Sequence, residues 1–168
     1  MIKIQKAIAS HVAGIAKVCT EGYWATYGET HSKEYIKRVV QEFYNHDRIL
    51  DEVTEESRSW GGYFVAIEND EVIGAGGGGM IGDTSGEIFV LYIDPSRRNE
   101  GIGSMLLDVI TTQQKQYNAA EQWVSVQKGN DKGIPFYEAR GFQLEHEQAG
   151  YGNGGNDAYI SLRYCRPL

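Results

Sequence analysis

Cysteine is scarce in this chain. Cys19 and Cys165 are the two among 168 residues, far apart and without a C-x-x-C pair, which argues against a disulfide framework or a thiolate zinc site. The four histidines, His11, His31, His46 and His146, share no ligand spacing, so no metal site is expected. Basic residues are also in deficit: Lys plus Arg number 16 against 23 for Asp plus Glu, a formal charge of −7. That balance lacks the basic footprint of a nucleic-acid binder. It suits a small cationic partner, although acidity serves solubility in most acidic proteins. No apolar run approaches membrane-spanning length, and the opening Met-Ile-Lys-Ile-Gln-Lys has no signal-peptide h-region. A cytoplasmic protein with no membrane partner is therefore expected.

What is present fits one mixed α/β domain over residues 1–168, long enough to bury a sizeable core. Ile2, Ile4 and Ala7 alternate with polar residues as a first strand. Ser10 is placed to cap a helix carrying Val12, Ile15, Ala16 and Cys19, and Ser32 to cap a second carrying Tyr35, Ile36, Val39, Val40 and Phe43. Residues 49–57 are acidic and read as a short helix or a loop. Strands at 63–68 and 72–76 flank Asn69-Asp70, a hairpin signal. The tetraglycine 76–79 extends or interrupts the second of them and suggests a flexible hairpin. Residues 87–93 form the most apolar strand, with no polar face between Ile88 and Ile93, so it should be central and covered on both sides. A helix through Met105, Leu106, Val109 and Ile110, a strand at 122–127, a short helix within 130–140 closed by Gly141, and strands at 142–147 and 157–164 complete the order β-α-α-β-β-β-α-β-α-β-β. The Gly-rich loop 151–157 either covers a site or is mobile.

The junction at residues 95–105 carries the most chemistry. It joins the apolar strand to a helix through Arg98-Asn99-Glu100-Gly101-Ile102-Gly103-Ser104. Glycines allow backbone N–H groups to converge on an anion, the helix N-terminus adds partial positive charge, and Arg98 adds a full one. A ligand with a pyrophosphate is implied. A nucleotide P-loop requires Gly-Lys-Ser/Thr, which is absent here. A dinucleotide fold requires G-x-G-x-x-G near the first strand, and this junction lies past the middle of the chain.

The same residues resemble the Gcn5-related N-acetyltransferase family. That family's acyl-CoA motif, Gln/Arg-x-x-Gly-x-Gly/Ala after a hydrophobic strand, is matched by residues 98–103 after Leu91-Tyr92-Ile93-Asp94-Pro95. A second block follows at the family's spacing: Val124-Ser125-Val126, Asn130, Phe136-Tyr137 and Gly141-Phe142. The clear resemblance covers residues 62–142, and the element order extends it over the whole chain. It implies a mostly antiparallel central sheet, flanked by helices, with one splayed parallel strand pair. Acetyl-CoA as co-substrate would enter that splay near Leu91, Tyr92 and Ile93. The chain departs from the family at Asn99, which tolerates a left-handed backbone, and at Glu100, a carboxylate near the expected pyrophosphate. Gly133 stands where Ala is usual, and Pro135 lies near the last helix's start, so that helix should begin one or two residues after Asn130.

Function follows from the resemblance as an expectation: transfer of an acetyl group to a primary amine by direct attack in a ternary complex. A small cationic amine or polyamine is the first acceptor and a peptide amine the second. Tyr137 corresponds to the family's proton donor beside the CoA sulfur, although a Phe-Tyr pair in a short helix is ordinarily core packing. Asn130 would bond the pantetheine, cap a helix, or do both. Phe136 belongs with them on the cofactor side. Glu87 falls where Gcn5-like enzymes carry a general base, acting through water, and strict strand alternation would put it on the face of Phe89, Leu91 and Ile93, where it would be desolvated; alternatively it is a solvated strand-end residue. Tyr23, Trp24 and Tyr27 would wall the acceptor site, or be core. A homodimer is compatible with all of this. The competing readings are a non-catalytic acyl-CoA-binding regulatory module and an interaction domain that keeps only the fold.

Overall fold

The computed structural model describes residues 1–168. Seven strands, β1 (Lys3–Lys6), β2 (Phe64–Glu68), β3 (Glu71–Met80), β4 (Ser85–Ile93), β5 (Glu121–Gln127), β6 (Gln143–Ala149) and β7 (Ile160–Pro167), join in one sheet of order β1-β2-β3-β4-β5-β7-β6. All neighbours are antiparallel except β4 and β5. Helices α1 (Val12–Tyr27), α2 (Lys33–Phe43) and α3 (His46–Thr54) build one core against the β1–β3 side, around Ile15, Cys19, Tyr23, Tyr35 and Ile49. On the opposite face, α4 (Ile102–Gln116) and α5 (Gly133–Glu138) bury Leu107, Ile110 and Tyr137 against Ile88, Val124 and Leu162. The mixed α/β fold read from the sequence is the fold adopted. No helix is long and apolar enough to cross a membrane.

Local chemistry explains most boundaries. Ser32 Oγ accepts from the Tyr35 N–H at 3.1 Å and starts α2, as expected. Asn45 Oδ1 does the same for Arg48 at 2.8 Å, so the acidic stretch becomes a third helix rather than a loop. Ser10 does not cap α1. It lies inside a 3-10 turn at Ala9–His11, and α1 follows at Val12 without a side-chain cap. Asn69 and Asp70 both have positive φ, 52° and 63°, the backbone of a tight primed hairpin. The last helix starts at Gly133, later than the sequence suggested, because Asn130 Oδ1 takes the Gly133 N–H at 2.7 Å.

The tetraglycine is neither a break nor a flexible hairpin. Residues 76–79 run through β3 as buried strand, paired with β4. A Cβ on Gly78 would meet the Glu87 carbonyl oxygen at 2.1 Å and Gln114 Nε2 at 2.8 Å, and one on Gly79 would meet the Ser59 carbonyl at 2.1 Å. The glycines are there because α4 and the 57–62 segment press on bare backbone from opposite sides.

Strand β4 is central but not sealed. Its register against β3 slips between Gly77 and Gly78: Val90 faces Gly77 and Ile88 faces Gly78, leaving Phe89 as a bulge, 45% exposed. The extra residue swaps the faces beyond it. Glu87, which alternation placed with Leu91 and Ile93, instead shares the face of Val90 and Tyr92, towards α1–α3. Leu91 and Ile93 pack towards α4 with Ile88.

Candidate active site

Strands β4 and β5 pair only from Ser85↔Glu121 to Ile88↔Val124. Beyond Ile88 they separate, and a cleft of about 1100 Å³ opens between residues 89–93 and 125–127. It is lined on one side from α4 and α5 by Arg98, Gly103, Asn130, Lys132, Phe136 and Tyr137. On the other side Tyr27, Tyr44, Glu52 and Trp60 come from α1, α3 and neighbouring loops. Leu91, Tyr92 and Ile93 form its floor along the free edge of β4. A cleft that passes from one sheet face to the other can hold two molecules end to end.

At the α4 end the backbone is shaped as an anion cradle. Asn99 and Gly101 have φ of 64° and 80°, the left-handed geometry that turns successive N–H groups outward. Met105 N bonds back to the Gly101 carbonyl, closing the helix's first turn, while the N–H groups of residues 99–104 make no backbone hydrogen bond. Ile102 and Ser104 contribute through their backbone here: the Ile102 side chain is buried with Ala66, Ile73 and Leu106, and the Ser104 hydroxyl accepts from Arg140 Nε at 3.1 Å. Gly103 is a packing requirement, since its Cβ would meet the Phe136 ring at 3.1 Å. The Arg140 guanidinium lies 3.7 Å over that same ring. Arg140 escaped the sequence reading because it meets α4 only through this long-range contact.

Glu100 does not face the cradle with a free charge. Arg97 clamps both of its oxygens, at 2.8 and 2.9 Å, and also reaches Glu68 at 2.8 Å. The bonds from Arg97 hold the Glu100 carboxyl below the usual range. The acid at this unusual position is thus neutralised three residues away. The free N–H groups, the two left-handed residues and the cations Arg98 and Lys132 fit a pyrophosphate, and the unpaired strand edges fit the amides of a pantetheine arm.

Across the cleft, Glu87 is held by Arg163 of β7. Nη1 donates to Oε2 at 2.8 Å and Nη2 to Oε1 at 2.9 Å, with both side chains 13% exposed. Arg163 also donates to Ser125 Oγ at 2.7 Å and lies 5.1 Å from the Trp123 ring centroid. The sequence leaves Glu87 either desolvated among apolar neighbours or solvated at the strand's start; the structure shields it from solvent and gives it a bidentate counter-ion. Tyr137 is buried, which pushes its hydroxyl upward and keeps it protonated at neutral pH. It lines the cleft, and while its backbone carbonyl accepts from Arg140 and Phe142, its hydroxyl has no hydrogen-bond partner in the protein. Asn130 both starts α5 and reaches the Tyr27 hydroxyl at 3.5 Å.

Of the three aromatic residues expected to wall the acceptor site, Tyr27 lines the cleft. Tyr23 is fully buried core, bonded through its hydroxyl to Gln127 Nε2 at 3.2 Å, and Trp24 packs at the edge of that core. The Gly-rich loop is pinned to α2 by Arg38, which donates to the Gly152 carbonyl at 2.7 Å and pairs with Asp157. This brings Tyr151 into the cleft wall, edge-on to Phe43 at 5.4 Å.

A central sheet split between two parallel strands, with an anion cradle at one end of the split, defines a class of acyl-CoA-binding folds. Residues 18–142 match the Acetyltransferase (GNAT) family. The chain is 26% identical over 164 residues to the spermidine N(1)-acetyltransferase of Thermoplasma acidophilum, covering 97% of this chain and 98% of that one. The fold superposes on the PaiA N-acetyltransferase of the same organism in complex with coenzyme A, with a TM-score of 0.81, 22% identity, and 100% and 99% of the two chains covered. It also matches the ribosomal-protein-S18-alanine N-acetyltransferase of Escherichia coli, at a TM-score of 0.71, 14% identity, and 99% and 94% coverage. The chain belongs to the GNAT family. It is an acetyltransferase of the acetyl-CoA-dependent kind.

Proposed function

We propose that residues 1–168 act as one catalytic unit that acetylates a primary amine by direct attack, with donor and acceptor bound together, and that the acceptor is a small cationic amine of the polyamine class. The observation that carries this reading is the through-cleft at the β4/β5 split, which has an anion cradle at one end and aromatic and carboxylate groups at the other. The likeness to a spermidine N(1)-acetyltransferase supports the acceptor class.

Acetyl-CoA supplies an acyl group already activated as a thioester. The N–H groups of residues 99–104, with Arg98 and Lys132, bind its pyrophosphate, and the free edge of β4 at Leu91–Ile93 aligns the arm. Phe136 and Asn130 close the cofactor side. Tyr137 holds a proton on its hydroxyl for the departing sulfur. Glu87, its charge balanced by Arg163, sits on the acceptor side and offers the lone pairs that Arg163 leaves free as hydrogen-bond acceptors that hold the substrate amine in line. Because Arg163 supplies the charge that balances this carboxylate, the amine's proton leaves through cleft water rather than resting on Glu87. An amine with a pKa of about 10 must shed that proton before it attacks, so alignment contributes more than any one acid or base.

The test is acetyl-CoA turnover followed by thiol release across spermidine, short diamines, monoamines and a peptide N-terminus. Spermidine should turn over, with intersecting initial-velocity lines for the two substrates. Parallel lines would rule out direct attack. Coenzyme A binding without turnover on any amine would replace the enzyme reading with the regulatory module, and turnover on the peptide alone would move the acceptor class.

A further inference from the structure

Three carboxylates line the cleft: Glu52, Glu87 and Glu121. Two are tied down. Glu87 carries Arg163 on both oxygens, and Glu121 accepts from Ser85 Oγ at 3.1 Å and from Trp123 Nε1. Glu52 is different. Its counter-ion is Arg48, one turn earlier on α3, with Nε 3.7 Å from Oε2, longer than a hydrogen bond. The Arg48 guanidinium is engaged elsewhere, 4.4 Å over the Phe43 ring and donating to the Glu42 carbonyl at 3.4 Å. Burial raises the Glu52 carboxyl above the usual range, with Arg48 offsetting part of the effect.

The surroundings of Glu52 are aromatic and fixed. Trp60 Nε1 donates to the Glu52 carbonyl at 2.7 Å, locking the indole to the turn that carries the carboxylate. The indole meets Tyr63 edge-on at 5.2 Å and lies 6.4 Å from the Phe89 ring at the bulge. A carboxylate with a free oxygen beside a locked indole recognises an organic ammonium, through a charge-assisted hydrogen bond and a cation–π contact. Glu52 stands on α3 and Glu87 on β4, so the two carboxylates reach the one cleft from different elements.

We propose that Glu52 is a specificity-determining residue that binds a second ammonium of the acceptor, remote from the nitrogen that is acetylated, with Trp60 alongside. This rests on the amine-acetyltransferase reading above and deepens it, by assigning to one residue the requirement that the acceptor carry a second cationic nitrogen. The sequence placed Glu52 in an unassigned acidic stretch, and its role emerges only from the packing of α3 against the 57–62 loop.

The experiment compares spermidine with butylamine, which has one ammonium, in the intact enzyme and in Glu52→Gln and Glu52→Asp. The unmodified enzyme should favour spermidine in kcat/KM by about tenfold or more, the range of a charge-assisted contact. Glu52→Gln should raise the spermidine KM by about 10- to 100-fold on the same ground, with kcat and the coenzyme A Kd nearly unchanged and butylamine kinetics unaffected. Glu52→Asp, which keeps the charge, should recover part of the loss. Equal preference for the two amines in the unmodified enzyme, or the same factor of change for both amines in Glu52→Gln, would overturn the proposal while leaving the acetyltransferase reading intact. Acetylation of neither amine by an enzyme that binds coenzyme A would overturn both.

Discussion

Replacing Arg163 by methionine strips the Glu87 carboxylate of two hydrogen bonds, at 2.8 and 2.9 Å, and takes a third from Ser125 Oγ. With both side chains 13% exposed, removal of one partner leaves a nearly buried charge unpaired. The full cost for a deeply buried pair is about 3–5 kcal/mol; water in the cleft reduces it here to about 2–3 kcal/mol, the worth of charge-assisted hydrogen bonds. Glu87→Gln should lose about 2 kcal/mol, because one amide hydrogen must face a guanidinium N–H. At about 2–4 °C per kcal/mol for a chain of this size, each single variant should melt about 4–12 °C lower. The double variant should be no worse than the poorer single one, a coupling of about 2 kcal/mol in a urea-denaturation cycle. Single losses that sum to within about 0.5 kcal/mol of the double would show that the pair does not act as a unit. The kinetic arm is independent of stability. The acidic limb of the kcat/KM profile should survive in Glu87→Gln, since it reports the amine's own deprotonation. Loss of that limb would make Glu87 the proton acceptor after all.

Other substitutions probe the remaining parts of the site. Tyr137→Phe should lower kcat by about 10- to 100-fold, the low end for a positioned acid because a thiolate leaves readily, with coenzyme A affinity unchanged by calorimetry; an unchanged kcat would remove Tyr137 from the chemistry. Glu100→Gln should leave coenzyme A affinity within about twofold, since Arg97 already neutralises this carboxylate. Arg97→Ala should weaken binding by releasing Glu100 beside the cradle, and the double variant should restore it; no weakening in Arg97→Ala would show that Glu100 stays clear of the pyrophosphate without its partner. Gly78→Ala, whose Cβ would lie 2.1 Å from the Glu87 carbonyl oxygen, should destabilise by about 3 kcal/mol in urea melts. Gly82→Ala, with its nearest neighbour at 3.7 Å, should change stability by less than about 0.5 kcal/mol.

The sequence was most legible where one local rule decided the outcome. The apolar run of β4, the left-handed Asn99 and the Ser32 cap each follow from residue type within a few positions. The cofactor end of the site was legible for the same reason: residues 98–104 run without a break from the turn into α4, and Asn130 lies just ahead of the short helix that carries Phe136 and Tyr137. The acceptor end was not. A bulge at Phe89 adds one residue to β4 and moves Glu87 to the opposite face, and no composition signal marks where a ladder slips. Arg163 meets Glu87 across β5, between strands 76 residues apart in sequence. Its signal was an arginine between Leu162 and Tyr164, a charge in an otherwise inward-facing strand, which says that a partner exists without naming it. Arg97 and Glu100 are nearer the surface of the sequence: a spacing of three residues lets their side chains meet over one turn, although only Glu100 stands out as a departure from the family pattern.

The glycine-lined stretch of β3 has a consequence for how such an enzyme can change. From Gly74 to Gly79 the strand has almost no thickness of its own. Leu106, Ile110 and Gln114 of the cofactor helix bear on one side, and Trp60 and the Ser59 backbone on the other. The wall proposed to select the acceptor is therefore indexed directly to the helix proposed to seat the donor, with one backbone as the spacer between them. A side chain inserted there would enlarge the pocket only by driving the two substrates out of alignment. New acceptors should accordingly be acquired at α3, the 57–62 loop and the 150–159 loop, while β3 behaves as a gauge that cannot be widened without losing the reaction.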